Sequence, residues 1–295
     1  MTACALSTTS EPTDAVEDAL DLFSDSLTSL FDEHMPAKGD PLQLYIYTPP
    51  SATGQPPLTC RIPPQQVNSL FAHHVWSASL RLADALAERR LRVEGEDVLE
   101  LGAGAGIAGL MAARMGAKKV IISDYDDPAL VANLKGNIKL AFPDSPDIQA
   151  RLQAIGHSWA EEESLQALLL ANSDSPFSHI LLADTLWSPT FYSPLLLSLT
   201  RLLARTSTAR AHICAGFHSG RATVRSFLRK ARKEGFVLKG EWVEVGMNGE
   251  RRPWGWDIEG KVEGDEGQWE EKEDQSQRNK WVVEGDLGWN EAALS

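Results

Sequence analysis

Apolar positions recur along this chain with two alternating periods. Val16, Leu20, Phe23, Leu27, Leu30 and Phe31 share one face of a helix expected over residues 14–31. Residues 42–47 (LQLYIY) read as a strand. Pro49-Pro50, Gly54 and Pro56-Pro57 mark a turn, and 58–62 returns as a second strand. Beyond residue 76, strand-like runs alternate with helical ones. Helices are expected over 77–90, 105–115, 128–140, 192–204 and 221–234, with Pro128 suited to a first helical position. Strands are expected over 97–101, 119–123 (KVIIS), 150–155, 179–183 (HILLA), 209–215 (ARAHICA) and 236–245. This alternation predicts βαβ units, and so an α/β fold with a doubly wound, mostly parallel sheet and right-handed crossovers. Residues 257–277 carry Glu, Asp, Gly and Gln and almost no aliphatics, which predicts a solvated insert. Residues 280–284 then read as a last strand, antiparallel to 236–245. The expected organisation is a disordered start (1–13), an N-terminal accessory helix and β-hairpin (14–69), and one main domain (70–295) with its acidic insert near 257–278.

Composition changes this picture little. The chain has 295 residues, 43% hydrophobic and 23% charged, which is ordinary globular usage with ample core. Its 28 Lys and Arg against 41 Asp and Glu give a formal charge of −13, which disfavours nucleic acid and anionic membranes as partners and suits a basic protein. Cys4, Cys60 and Cys214 are far apart and odd in number, so neither a disulfide framework nor a metal site is expected. The first residues lack a basic start and a long apolar run, and no segment is long enough to span a bilayer. A cytoplasmic protein is the expectation.

The candidate chemistry centres on VLELGAGAGIAGL at 98–110. A buried strand runs into Gly102, Ala103, Gly104 and Gly106, and a helix starts at once. In such sheets, ligands bind at the carboxyl ends of the strands. Gly104, Gly106 and Gly109 also satisfy the dinucleotide spacing, with Asp124 at a suitable distance for a ribose. Glu100 weighs against that alternative. A carboxylate at the strand tip repels a pyrophosphate, whereas it favours the sulfonium and ammonium of S-adenosylmethionine. A purely structural turn stays open as a third reading.

Around this turn, Asp124 is placed to accept from ribose hydroxyls and Tyr125 to pack on adenine. Trp159 covers an adenine face or anchors a helix start. Ala183, Asp184 and Trp187 follow the fourth strand, where the methyl group is expected. Asp184 would orient a nucleophilic amine and Trp187 would wall its pocket. Trp76 closes over the donor or packs in the core. His73 and His74 are expected in packing or surface roles. The basic helix from Arg221 to Lys233 reads as a solvated face, and Arg251 to Trp256 as part of an acceptor surface.

Trp76, VLELGAGAG, Asp124, Trp159 and ADTLW together resemble the class I, seven-stranded methyltransferases, and more narrowly methyltransferase family 16, which contains many protein lysine methyltransferases. FAHHVW, DYDDP and WVVEG are similar to the fungal nicotinamide N-methyltransferase-like branch, which includes an elongation factor 1-alpha N-terminal and lysine methyltransferase. The resemblance runs over roughly residues 70–289. It implies a Rossmann-like methyltransferase fold, S-adenosyl-L-methionine as cofactor, and a monomer acting on a protein such as elongation factor 1-alpha or on a small-molecule amine. It implies cofactor binding by Trp76, Glu100, Gly102, Ala103, Gly104, Asp124, Tyr125, Trp159 and Ala183, and catalysis by Asp184 and Trp187. Where that family usually has Asp-x-x-Tyr, this chain has Trp187, so no tyrosine hydroxyl is carried over. A methyltransferase-like binding module without turnover is the remaining alternative.

Overall fold

The structure is a computed structural model that describes residues 37–65, 71–255, 278 and 280–294. The expected helix over 14–31, the acidic segment 257–277 and Trp256 lie outside the described residues. The strands in chain order are β1 (Ala37–Lys38), β2 (Leu44–Tyr47), β3 (Leu58–Arg61), β4 (Val75–Trp76), β5 (Asp97–Leu101), β6 (Lys119–Asp124), β7 (Leu152–Gly156), β8 (His179–Ala183), β9 (Arg210–Gly216), β10 (Phe236–Gly246), β11 (Arg251–Pro253) and β12 (Trp281–Trp289). The helices are α1 (Ser77–Ala87), α2 (Ile107–Arg114), α3 (Pro128–Ala141), α4 (Pro146–Gln149), α5 (Glu162–Ala171), α6 (Tyr192–Leu202), α7 (Arg221–Lys233) and α8 (Glu291–Leu294).

The central sheet has eight strands in the order β11-β10-β12-β9-β8-β5-β6-β7. From β9 to β7 the pairing is parallel, while β12, β10 and β11 are added antiparallel. The mostly parallel α/β sheet is therefore as expected, and the short β11 extends the expected seven strands to eight. The chain winds outward from β5 through β6 to β7, then returns to β8 on the other side. That reversal opens a crevice at the carboxyl ends of β5 and β8.

Strand residues alternate between two apolar layers, as a sheet covered on both faces requires. Val98, Val120, Ile122 and Leu181 face α1, α2 and α3. Leu99, Ile121, Ile180 and Leu182 face α5, α6 and α7. Each such fully buried aliphatic side chain contributes roughly 1.5–3 kcal/mol. The antiparallel β2–β3 hairpin adds Tyr47, Leu58, Cys60 and Ile62 to the first layer. Asn137 of α3 ties it there, accepting from the Arg61 N–H at 2.7 Å and donating to the carbonyls of Arg61 and Ala105, each at 2.9 Å.

Element boundaries follow local chemistry. Helix α3 starts where expected, with Pro128 in its first turn and the Asp127 carboxylate accepting from Ala129 and Leu130 at 2.8 and 3.0 Å. Helix α1 stops at Ala87, earlier than expected, and Arg89 turns out at φ +58°. The short α4 and α8, strand β11 and the β1–β4 ladder pairing Ala37 with Trp76 had no sequence signal. Strand β12 runs on to Trp289, five residues past the expected end at 284, because Leu287 continues the ladder to Ala211 of β9. Among the described residues, no helix is long and apolar enough to cross a membrane.

Candidate active site

The glycine turn lies at the carboxyl end of β5. Gly102 has φ +67°, and a Cβ there would stand 2.9 Å from Thr185 Cγ2 and 3.4 Å from Trp159. Only glycine leaves the backbone open beside both. The Ala103 N–H donates to the Ser123 carbonyl at 3.0 Å, which fastens the turn to β6. Asp124 fastens it again, accepting from Gly104 N–H at 2.6 Å with Oδ2 and from Tyr125 N–H at 2.7 Å with Oδ1. Burial raises the Asp124 carboxyl above its ordinary range, against the lowering by those two bonds. Tyr125 is exposed beside it.

Glu100 takes a different place from the one expected. Its residue is 0% exposed, and Oε2 accepts the Gly109 N–H at 2.8 Å in the first turn of α2. A Cβ on Gly109 would lie 2.6 Å from that oxygen, so the helix approaches the strand only because Gly109 is bare. Burial pushes the Glu100 carboxyl up to about 8, the Gly109 bond lowers it, and Asp124 adds a further raise. Glu100 therefore props the turn from beneath, with Oε2 committed to the Gly109 N–H. The physical reason is the unpaired N–H group of the helix start, which a buried carboxylate satisfies.

Ala183 ends β8, and Asp184 follows with φ +58°, a strained value for a residue other than glycine. Its N–H donates to the Cys214 carbonyl at 2.8 Å, and its Oδ1 accepts from Gly216 N–H at 2.9 Å. The side chain is thereby held at the crevice between β8 and β9. Trp187 packs edge-on against Phe71 at 5.3 Å and Phe191 at 5.4 Å. Trp159 also meets Phe191, at 6.1 Å. Trp76 donates its indole N–H to the Phe71 carbonyl at 2.9 Å.

The crevice thus brings Gly102, Ala103, Gly104, Asp124, Trp159, Asp184, Trp187 and Trp76 to one edge of the sheet. Glu100 alone of the expected residues is sealed beneath it. Sequence reasoning missed Phe71, Phe191 and His218. His218 stands two residues beyond the end of β9, with Nε2 at 3.5 Å from Asp184 Oδ1. Its place after the strand next to β8 was the available signal. His73 is buried, and burial with the neighbouring His74 pushes its imidazole down to about 4. Among the described residues, no group of three His, Cys, Asp or Glu is set to hold a metal ion.

One surface reading needs correction. The basic helix is not uniformly solvated. Arg221 and Arg225 are buried, and Arg221 makes paired bonds of 2.8 and 2.9 Å to buried Glu244 beneath the Phe217 ring. Burial of the guanidinium is tolerable because the bidentate carboxylate satisfies it. In the segment expected as an acceptor surface, Arg251–Pro253 form the exposed strand β11, and Trp254 just beyond it stacks on Phe217 at 5.9 Å.

A family model described as lysine methyltransferase matches residues 57–234. The protein N-terminal and lysine N-methyltransferase efm7 of Schizosaccharomyces pombe is 29% identical over 175 residues, spanning 58% of this chain and 67% of that protein. The protein of Gibberella zeae with the same description is 36% identical over 124 residues, spanning 39% of this chain and 46% of its own length. The similarity thus covers about half to two thirds of these relatives. A Streptococcus mutans structure assigned to the SAM-dependent methyltransferases superposes with a TM-score of 0.51 at 8% identity, covering 85% of this chain and 56% of that one, a likeness of fold. With the family match spanning the glycine turn, Asp184 and His218, the chain belongs to the lysine methyltransferase family, family 16 of the class I S-adenosylmethionine-dependent methyltransferases.

Proposed function

We propose that this protein transfers a methyl group from S-adenosylmethionine to a lysine or N-terminal amine of a protein such as elongation factor 1-alpha. The observation that carries the reading is Asp184, held in a strained conformation between the glycine turn and the ring wall of Trp76, Phe71 and Trp187. The residues suit the donor: a bare backbone at Gly102, an Asp124 carboxylate with spare lone pairs, and an indole at Trp159. When bound, S-adenosylmethionine supplies an electrophilic methyl group on a sulfonium. Asp184 and the Ala183 carbonyl orient the acceptor nitrogen. The aromatic wall excludes water and favours a cationic amine on arrival through the ring faces. Positioning of this kind lowers the barrier mainly by removing the entropy cost of encounter. The relatives' descriptions as protein N-terminal and lysine N-methyltransferases favour a protein acceptor.

Tritiated S-adenosylmethionine, the purified full chain and recombinant elongation factor 1-alpha test the reading, with Asp184→Ala as control. Label on the factor that is absent with the variant supports it. Label found only in small molecules of a cell extract would move the assignment to a nicotinamide-like acceptor. Donor binding without any transfer would leave a binding module.

A further inference from the structure

An alkylammonium with a pKa of about 10.4 is neutral at pH 7 in about one molecule in 2,500. Attack on a methyl group needs that neutral form, so an amine site gains from a group that receives the proton. A carboxylate is a poor receiver, because its conjugate acid ordinarily has a pKa of about 4, whereas an imidazole at about 6.5 is much closer.

His218 is the imidazole set against Asp184. The two side chains are 9% and 6% exposed, with Nε2 at 3.5 Å from Oδ1. The ring packs over Gly216, where an added Cβ would stand 2.7 Å from both Cε1 and Nδ1. The Trp76 ring covers it at 5.3 Å. Nδ1 is buried and has no hydrogen-bond partner among the described residues. A buried polar atom left in that state calls for an explanation. Setting Nε2 against a carboxylate selects the tautomer with its proton there and leaves the Nδ1 lone pair available.

We propose that His218 is the proton acceptor of the amine site, oriented by Asp184. The proposal rests on the reading of this crevice as an amine site. In the step, an N–H bond of the ammonium breaks and its electron pair stays on the amine nitrogen. A new N–H bond forms at His218, and the resulting imidazolium returns its proton to water once the product leaves. The charged and titratable groups around the ring are few. Asp184 faces it directly. His74 lies on Trp76 at 6.1 Å, and His73 lies on His74. Arg221 lies across Phe217 with its charge matched by Glu244, and Cys214 sits buried on β9. His73 is the other imidazole with an unpartnered buried nitrogen, but its downward shift makes it a weaker proton acceptor.

The test compares the full chain with His218→Gln, which keeps polarity but cannot take the proton, and with Asp184→Asn. Melting temperature and calorimetric donor affinity are measured first, and both are expected to change little in His218→Gln. With elongation factor 1-alpha as probe, the single-turnover rate of His218→Gln at pH 7 is expected to fall about 100-fold. That gap should narrow below about tenfold near pH 9.5, where hydroxide and solvent take the proton. A rate above about a third of wild type at pH 7, or an equal loss at every pH, overturns the proposal. Should the wild type leave the factor unlabelled, the acceptor reading fails by itself and the ring is judged by NMR. Its resonance, assigned by difference from His218→Gln, is then expected to shift in Asp184→Asn, which removes the charge set against Nε2. A ring whose resonance ignores Asp184→Asn overturns the proposal.

Discussion

The neighbouring strands β8, β9 and β12 carry a histidine–carboxylate grouping at each end, and the two are built in opposite ways. At the amino end of β8, His179 Nδ1 meets His212 Nε2 at 2.8 Å, and His212 Nδ1 meets Asp286 Oδ1 at 2.7 Å. The rings stack at 5.1 Å with 9° between planes. At the carboxyl end, the Asp184–His218 pair is longer at 3.5 Å, Asp184 is strained, and His218 Nδ1 has no partner among the described residues. Thr185 Oγ1 and His73 Nδ1 at the same edge also have no hydrogen-bond partner among the described residues. The amino end also has an unpartnered atom, Asp97 Oδ1, but its histidines are linked into a chain. Polar groups at one end are committed to the fold, and those at the other keep hydrogen-bonding capacity for something that arrives.

The comparison breaks most readily at Asp184. Asp184→Ala is expected to lower the methyl-transfer rate about a thousandfold while donor affinity, read by calorimetry, stays within a few-fold. A rate near wild type would remove the functional meaning of the unsaturated end. Gly102→Ala ranks next. A methyl group there meets Thr185 and Trp159 at a positive φ, so donor affinity should fall at least about tenfold with a stability loss of about 1–3 kcal/mol. Calorimetry and urea unfolding read the two effects separately.

Glu100→Gln sharpens the comparison through pH. The folded carboxyl is raised to about 8, so the folded state holds this proton more tightly than the unfolded chain. The stability it contributes is therefore present below about pH 4.3 and is lost as pH rises toward 8. Urea unfolding of the donor-free protein should show wild type losing stability relative to Glu100→Gln between about pH 5 and 8. A flat difference would mean that Glu100 is ionised beneath the turn throughout. Asp286→Asn is the smallest effect. Asp286 is 41% exposed, so removing its charge should cost about 1 kcal/mol or less and about 2–4 °C in melting temperature, with an unchanged methyl-transfer rate. A fall in rate would show that the amino end is coupled to the chemistry.

Much of this was legible in the sequence because it depends on short-range pattern. The runs at 97–101, 119–123 and 179–183 each carry adjacent aliphatic residues without strict alternation, which suits strands covered on both faces, and all three are central strands. Gly102, Gly104 and Gly106 announced backbone with positive φ, which each adopts. Glu100 was legible as a carboxylate beside that turn but not in its direction. A strand residue points to one face or the other, and only the position of α2 makes its face the buried underside of a helix start. The basic helix misled for a related reason. Its spacing shows where Arg221 sits on the helix, but not that Glu244, from a strand 23 residues later, comes to meet it.

What the sequence determined by itself is the alternation of strands and helices, the glycine turn and hence the edge of the sheet proposed for the ligand, since periodicity and backbone freedom are local properties. What only the tertiary structure decided is which side chains share that edge. His218 stands beside Asp184 because β9 pairs with β8 in parallel, placing Cys214 opposite Ala183 and carrying both strands to the same rim. Phe71 meets Trp187 although 116 positions separate them in the chain. Contacts of that kind depend on strand order and register, which are set by burial of the whole sheet and not by any single segment.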